Sequence, residues 1–144
     1  MLKTGRFLLL FLVVLCILVG VLLFWHRGPG DLGGPVTYSR AAVCMDLDER
    51  LEPIDPGSSF SWGVRQICLR FEFKTPRPGA TARIQWLYRE EPVFLETIQI
   101  SENAGVKAFY LLREDGTPLP VGSYRVVIKS GGKEKVSLPF SVRR

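Results

Sequence analysis

Seven times between residue 39 and the C-terminus, apolar side chains fall on every second position over a short run. The runs are Ala41, Val43, Met45 and Leu47; Ile67, Leu69, Phe71 and Phe73; and Ala82, Ile84, Trp86 and Tyr88. Next come Phe94, Ile98 and Ile100; Val106, Ala108, Tyr110 and Leu112; Tyr124, Val126 and Ile128; and Val136, Leu138, Phe140 and Val142. A period of two turns one face to a core and the other to water, so each run reads as a half-buried strand. The fourth is the weakest, because Glu96 breaks its phase. Pro76-Arg77-Pro78-Gly79, Glu90-Glu91-Pro92, Asp115-Gly116 and Ser130-Gly131-Gly132-Lys133 separate the runs and supply turn chemistry. Seven strands with no helical pattern indicate a two-sheet sandwich over residues 39–144, with a closed barrel as the alternative. Pro139 cannot donate to a ladder, which places it at an edge or a bulge.

The N-terminal part has a different pattern. Residues 7–25 are apolar at every position except Gly20, and as a helix they would reach about 28 Å, close to a bilayer's hydrocarbon core. Lys3 and Arg6 precede the run, and Trp25, His26 and Arg27 close it. This predicts a transmembrane signal-anchor over residues 7–26, a cytoplasmic N-terminus at 1–6 and the remainder outside. The alternative is secretion after cleavage, but the run exceeds a signal peptide's usual apolar length, and small residues occur only at Gly28-Pro29-Gly30. Residues 27–38 are rich in Gly and Pro and read as a tether.

Charge supports the same division. Only three of 19 basic residues (Lys3, Arg6, Arg27) and none of the 14 acidic ones lie in residues 1–30, leaving 16 basic against 14 acidic beyond. No strongly basic domain remains to follow a phosphate backbone, so nucleic acid is excluded as a partner.

Trp86 lies midway along the third run, where immunoglobulin-like sandwiches bury a tryptophan. In Gly122-Ser123-Tyr124-Arg125-Val126 the tyrosine stands where its hydroxyl would cap upstream backbone, but Val126 replaces the core cysteine of antibodies. Residues 120–126, the Gly-rich hairpin after them, and Val43-Cys44-Met45-Asp46 through Glu52-Pro53 resemble a small bacterial domain family of unknown function. Its members are similar to immunoglobulin-like sandwiches and often follow an N-terminal membrane segment. The resemblance covers about residues 40–142. It implies an all-β sandwich held at the inner membrane and facing the periplasm, and it carries over no catalytic residue.

Cys44 and Cys68 are out of phase with the first two apolar runs, which predicts both on the outer face. If those strands are neighbours, opposed Cα atoms would stand about 4.5–5.5 Å apart, within disulfide range. An oxidising compartment would then favour a bridge; free, partly exposed thiols are the competing state.

Catalytic chemistry finds little to work with. The one histidine, His26, sits at the membrane boundary, so a Ser-His-Asp or Cys-His site in the domain is excluded. No Cys/His cluster suits zinc, and no Gly-rich phosphate loop is present. Neither an enzymatic activity nor a cofactor is expected. Asp46, Asp48, Glu49, Glu52 and Asp55 offer oxygens to calcium, but their spacing is not that of an EF-hand, and a solvated loop is the plainer reading. Phe60 and Trp62 either cover one end of the sandwich or form an exposed contact site. Arg70, Arg83 and Arg89 fall on the outward phase of the second and third runs, as a basic face or simply the wet side of a sheet. The chain therefore reads as a membrane-anchored module that binds a protein partner in the envelope. The alternative is a glycan or anionic envelope polymer held by Phe60, Trp62 and the arginines.

Overall fold

The computed structural model describes residues 33–144. The expected cytoplasmic N-terminus, the membrane helix and the first part of the tether lie outside the described residues. Every described element is a strand: β1 (Thr37–Cys44), β2 (Asp46–Leu47), β3 (Pro53–Ile54), β4 (Ser59–Ser61) and β5 (Gln66–Lys74), then β6 (Thr81–Tyr88), β7 (Glu91–Gln99), β8 (Ala104–Leu112), β9 (Gly122–Ser130) and β10 (Lys133–Arg143). A three-stranded sheet, β1-β5-β8, packs on a five-stranded one, β4-β10-β9-β6-β7, and β2 with β3 forms a small separate hairpin. The seven long strands correspond to the seven apolar runs. The three short ones come from residues 46–61: β2 takes the end of the first run at Leu47, and no alternation marks β3 and β4. The described residues form an all-β sandwich of two sheets.

Facing side chains from the two sheets make one core. Ile67, Leu69 and Phe71 of β5 and Ile84, Trp86, Val126 and Ile128 of β6 and β9 are fully buried. Phe140 organises the aromatic part: its ring stacks on Tyr124 at 5.0 Å and meets Trp86 edge-on at 6.1 Å and Phe60 at 6.0 Å. Each such pair adds about 0.5–1.5 kcal/mol beyond area burial. The Tyr124 hydroxyl donates to the Pro120 carbonyl at 2.7 Å, fixing the loop that leads into β9. Burial pushes the Tyr124 hydroxyl up to about 12, so it stays protonated as a donor. Pro139 has β9 on one side, and β4 pairs only with Ser141, Val142 and Arg143 on the other, so it stands on a locally open edge.

Three sequence expectations change here. The inner phase of β8 is Phe109 and Leu111, in register with buried Leu69 and Ile67; Val106, Ala108, Tyr110 and Leu112 face outward. Both phases of β8 are apolar because both faces have something to cover. The second change explains the first: residues 45–56 fold back over the outer face of the three-stranded sheet. Met45 N–H donates to Ile54 O at 3.0 Å, Asp48 N–H donates to Glu52 O at 3.0 Å, and Tyr110 O–H donates to Asp46 Oδ1 at 2.9 Å. The acidic stretch is thus folded as a hairpin flap, with its five carboxylates exposed to solvent. Asp48 Oδ1 accepts Arg50 N–H and Glu52 N–H, turning the chain locally.

The third concerns the cysteines. Cys44 lies directly opposite Cys68 across β1 and β5, the juxtaposition a bridge needs. Both are free thiols and wholly buried, not partly exposed, because the flap and Tyr110 close over that face. Cys44 Sγ donates to the Cys68 carbonyl at 3.7 Å. A side-chain hydrogen bond with the Cys68 thiol, and then burial, push the Cys44 thiol up, so it stays protonated.

Candidate interaction surface

The register of the two sheets defines two ends. Thr37 pairs with Lys74, and Thr81 with Gln99, at the end where the chain enters. Cys44, Tyr88, Glu91, Leu112 and Gly122 lie at the opposite end, joined there by the flap and by the loop from β8 to β9. Leu119 N–H donates to Val64 O at 2.9 Å, tying that loop to the segment before β5. Most large apolar side chains left in water collect at this end: Met45, Leu51, Ile54 and Trp62 on one side, and Val93, Phe94 and Leu112 on the other, with Leu95 next to Phe94.

The second group arises from a mismatch between the sheets. Five strands lie against three, so β7 at the rim of the larger sheet has little opposite it. Phe94 is in register with buried Trp86 and shares its inner face, yet it is 46% exposed. A bulge between Trp86 and Leu87 adds Val93 as an extra residue on the β7 side. Val93, Phe94, Leu111, Leu112, Leu119 and Tyr88 line a groove of about 520 Å³ between the rims of the two sheets.

The turn from β6 to β7 holds one wall of this groove. It has two residues, Arg89 and Glu90, both at positive φ (49° and 66°), a left-handed pair that side-chain-bearing residues adopt at a cost. Compensating contacts hold it. The Arg89 guanidinium lies 5.1 Å from the Tyr88 ring centre, Glu90 is ion-paired with Arg125, and Tyr88 O–H donates to Val121 O at 2.9 Å. Gly122 is required beneath it, since its φ is 151° and a Cβ would meet the Tyr88 ring at 2.7 Å. On the far rim Asp115 accepts from Thr117 N–H and Oγ1–H, contacts that hold its carboxyl below the ordinary range.

The residues singled out from sequence part company. Phe60 is buried against Phe140, whereas Trp62, two residues on, is 58% exposed. Both lie close to β10: Phe60 pairs with Val142, and Trp62 N–H donates to Arg143 O at 2.7 Å. The arginines do not form one face. Arg70 and Arg83 belong to different sheets, so their outward phases point away from each other. Arg83 is exposed beside Lys129, and Arg89 sits at the turn. Arg70 is only 4% exposed: it pairs with Glu72 at 3.0 Å and Glu52 at 3.7 Å, and its Nε–H donates to Leu51 O. It is the clamp of the flap. Trp86 and Tyr124 are both buried. No group of three metal-ligating side chains occurs among the described residues.

Sequence reasoning passed over Val93 and Leu95 and set Phe94 and Leu112 in core-facing runs, whereas the structure leaves all four exposed. Three consecutive apolar residues beside Pro92, in the one run whose phase fails, were the available sign.

No protein-family model matches the chain, and no curated protein matches it in sequence. Solved structures share its fold. An immunoglobulin-like protein from Pseudomonas aeruginosa superposes with a TM-score of 0.54 at 13% identity, over 76% of this chain and 93% of that one. This likeness supports the immunoglobulin-like sandwich. A DNA-bound alkylpurine DNA glycosylase from Pseudomonas fluorescens gives 0.47 at 12% identity, and the match spans 31% of its length. A β-D-glucoside glucohydrolase from Trichoderma reesei gives 0.47 at 14% identity over 19% of its chain.

Proposed function

We propose that this chain is a non-enzymatic, membrane-tethered module that binds another protein through the apolar end of its sandwich. The carrying observation is the collection of Trp62, Val93, Phe94 and Leu112 at the end opposite chain entry. Burying side chains of this size stabilises a complex by about 1.5–3 kcal/mol each before the costs of association. Apolar side chains on a rigid scaffold, rimmed by polar turns, suit a protein partner. The run at residues 7–25 and the tether after it support attachment to a bacterial inner membrane with the domain in the periplasm. The polymer reading loses ground with Phe60 in the core and Arg70 clamping the flap.

Chemical crosslinking in cells, followed by purification from membranes, tests the reading. A reproducible adduct is expected with the natural chain and its loss with Phe94→Ser plus Leu112→Ser, the variant still folding. An adduct untouched by these changes, or none at all, would reject it.

A further inference from the structure

The two sheets have four outer edges, and three are guarded against another strand. β1 is broken by a bulge between Ser39 and Ala42, with Arg40 at a φ of 46°. β8 carries an inward Lys107, in register with Phe71 and 5.8 Å from the Phe73 ring. On the other sheet, β4 has only three residues, and Pro139 interrupts the edge that β10 leaves open. Bulges, short strands, prolines and inward charges are the usual devices that stop strand addition.

The fourth edge, β7, has Pro92 and a bulge near its start and one inward charge, Glu96, in register with Ile84; this carboxylate deters an acidic or purely apolar strand but admits a basic one. It runs nine residues, and past its bulge the register with β6 is regular from Phe94 through Gln99. Its Val93-Phe94-Leu95 centre is exposed, and it borders the groove. Its only charges are Glu91 and Glu96, and neither makes an ion pair among the described residues; nor does Glu114 on the groove's far rim. An edge of this kind supplies unpaired main-chain groups, apolar contact and uncompensated negative charge together.

Building on the protein-binding reading, we propose that β7 accepts an extended segment of the partner protein as a sixth strand of the larger sheet. The segment sets apolar side chains against Phe94 and Leu95 and places lysine or arginine against Glu91 and Glu96. Main-chain hydrogen bonds to β7 hold it, the groove takes its inward apolar side chains, and the carboxylates select its charge.

A short capped peptide with a Val-Leu-Val centre flanked by lysines, and a twin flanked by glutamates, test this on the full chain in detergent micelles. The lysine peptide is expected to bind about tenfold tighter than its twin, with the advantage shrinking as salt rises. Glu96→Lys, at a half-buried edge position, is expected to invert the preference, with the urea midpoint showing that the variant still folds. Hydrogen exchange of amides 94–99 should slow when the lysine peptide binds. Failure of the lysine peptide to bind, indifference to the charge swap, or binding without β7 protection would each overturn strand addition. Loss of the cellular adduct in Phe94→Ser plus Leu112→Ser, alongside such a failure, would leave the protein-binding reading standing.

Discussion

Trp86 and Phe94 face each other in register across β6 and β7, yet the first is fully buried and the second is about half in water. One strand's width separates a core residue from a surface one, because the three-stranded sheet ends before it covers the rim of the five-stranded sheet. This asymmetry predicts opposite mutational outcomes. Trp86→Ala should cost about 3–5 kcal/mol, as for other buried aromatics. Phe94→Ser should change stability by less than about 1 kcal/mol and act on binding alone. Urea midpoints of both variants check the pair.

The left-handed Arg89-Glu90 turn predicts a gain. Replacing it with Asn-Gly, the pair such turns favour, should stabilise the domain by about 1 kcal/mol. The lost Glu90–Arg125 pair subtracts little, since exposed ion pairs contribute about 0–1 kcal/mol. A lower urea midpoint in the double variant would show that these side chains do more than tolerate the turn.

Arg70 should hold the flap. Arg70→Met removes the donor to Leu51 O and the link to Glu52, and is expected to cost about 1–3 kcal/mol. Limited proteolysis should then cut within residues 45–56 well before the rest of the domain unfolds. The same opening should expose Cys44 and Cys68, so alkylation of the reduced protein, slow in the natural chain, becomes fast.

Tyr124 predicts an alkaline limit. Its folded-state value is raised to about 12 from an ordinary value of 10. The folded state therefore holds this proton more tightly than the unfolded one. The stability linked to it is complete below the unfolded value and is lost as pH rises through the folded one. Denaturant midpoints should fall between these two values in the natural chain and fall less in Tyr124→Phe. That variant should also lose about 1–2 kcal/mol at neutral pH by leaving Pro120 O without its donor.

The sandwich was legible because period-two alternation is a local property: Ile67, Leu69, Phe71 and Ile84, Trp86 mark their strands without reference to neighbours. Which face is covered is a tertiary matter, and there the reading from sequence weakened. In β8 both phases are apolar, so Phe109 and Val106 were indistinguishable until the flap was placed. Phe60 and Trp62 looked alike, two residues apart and so on one face of any strand; β4 ends at Ser61, so Phe60 follows the strand into the core beside β10 while Trp62 lies past its end in solvent. Arg70 looked like a wet-face cation because nothing local announces that Glu52 folds back onto it. The groove at Phe94 depends on how many strands lie opposite β7, a quantity no window of sequence contains.

Site-specific photocrosslinking in living cells tests the central claim most directly. A photoreactive residue is placed in turn at Phe94, Leu112 and Trp62, and at Lys133 on the opposite end as the control. The account predicts a discrete partner adduct from the positions at the apolar end and none from Lys133. Adducts from Lys133 alone, or equally from all four positions, would contradict it.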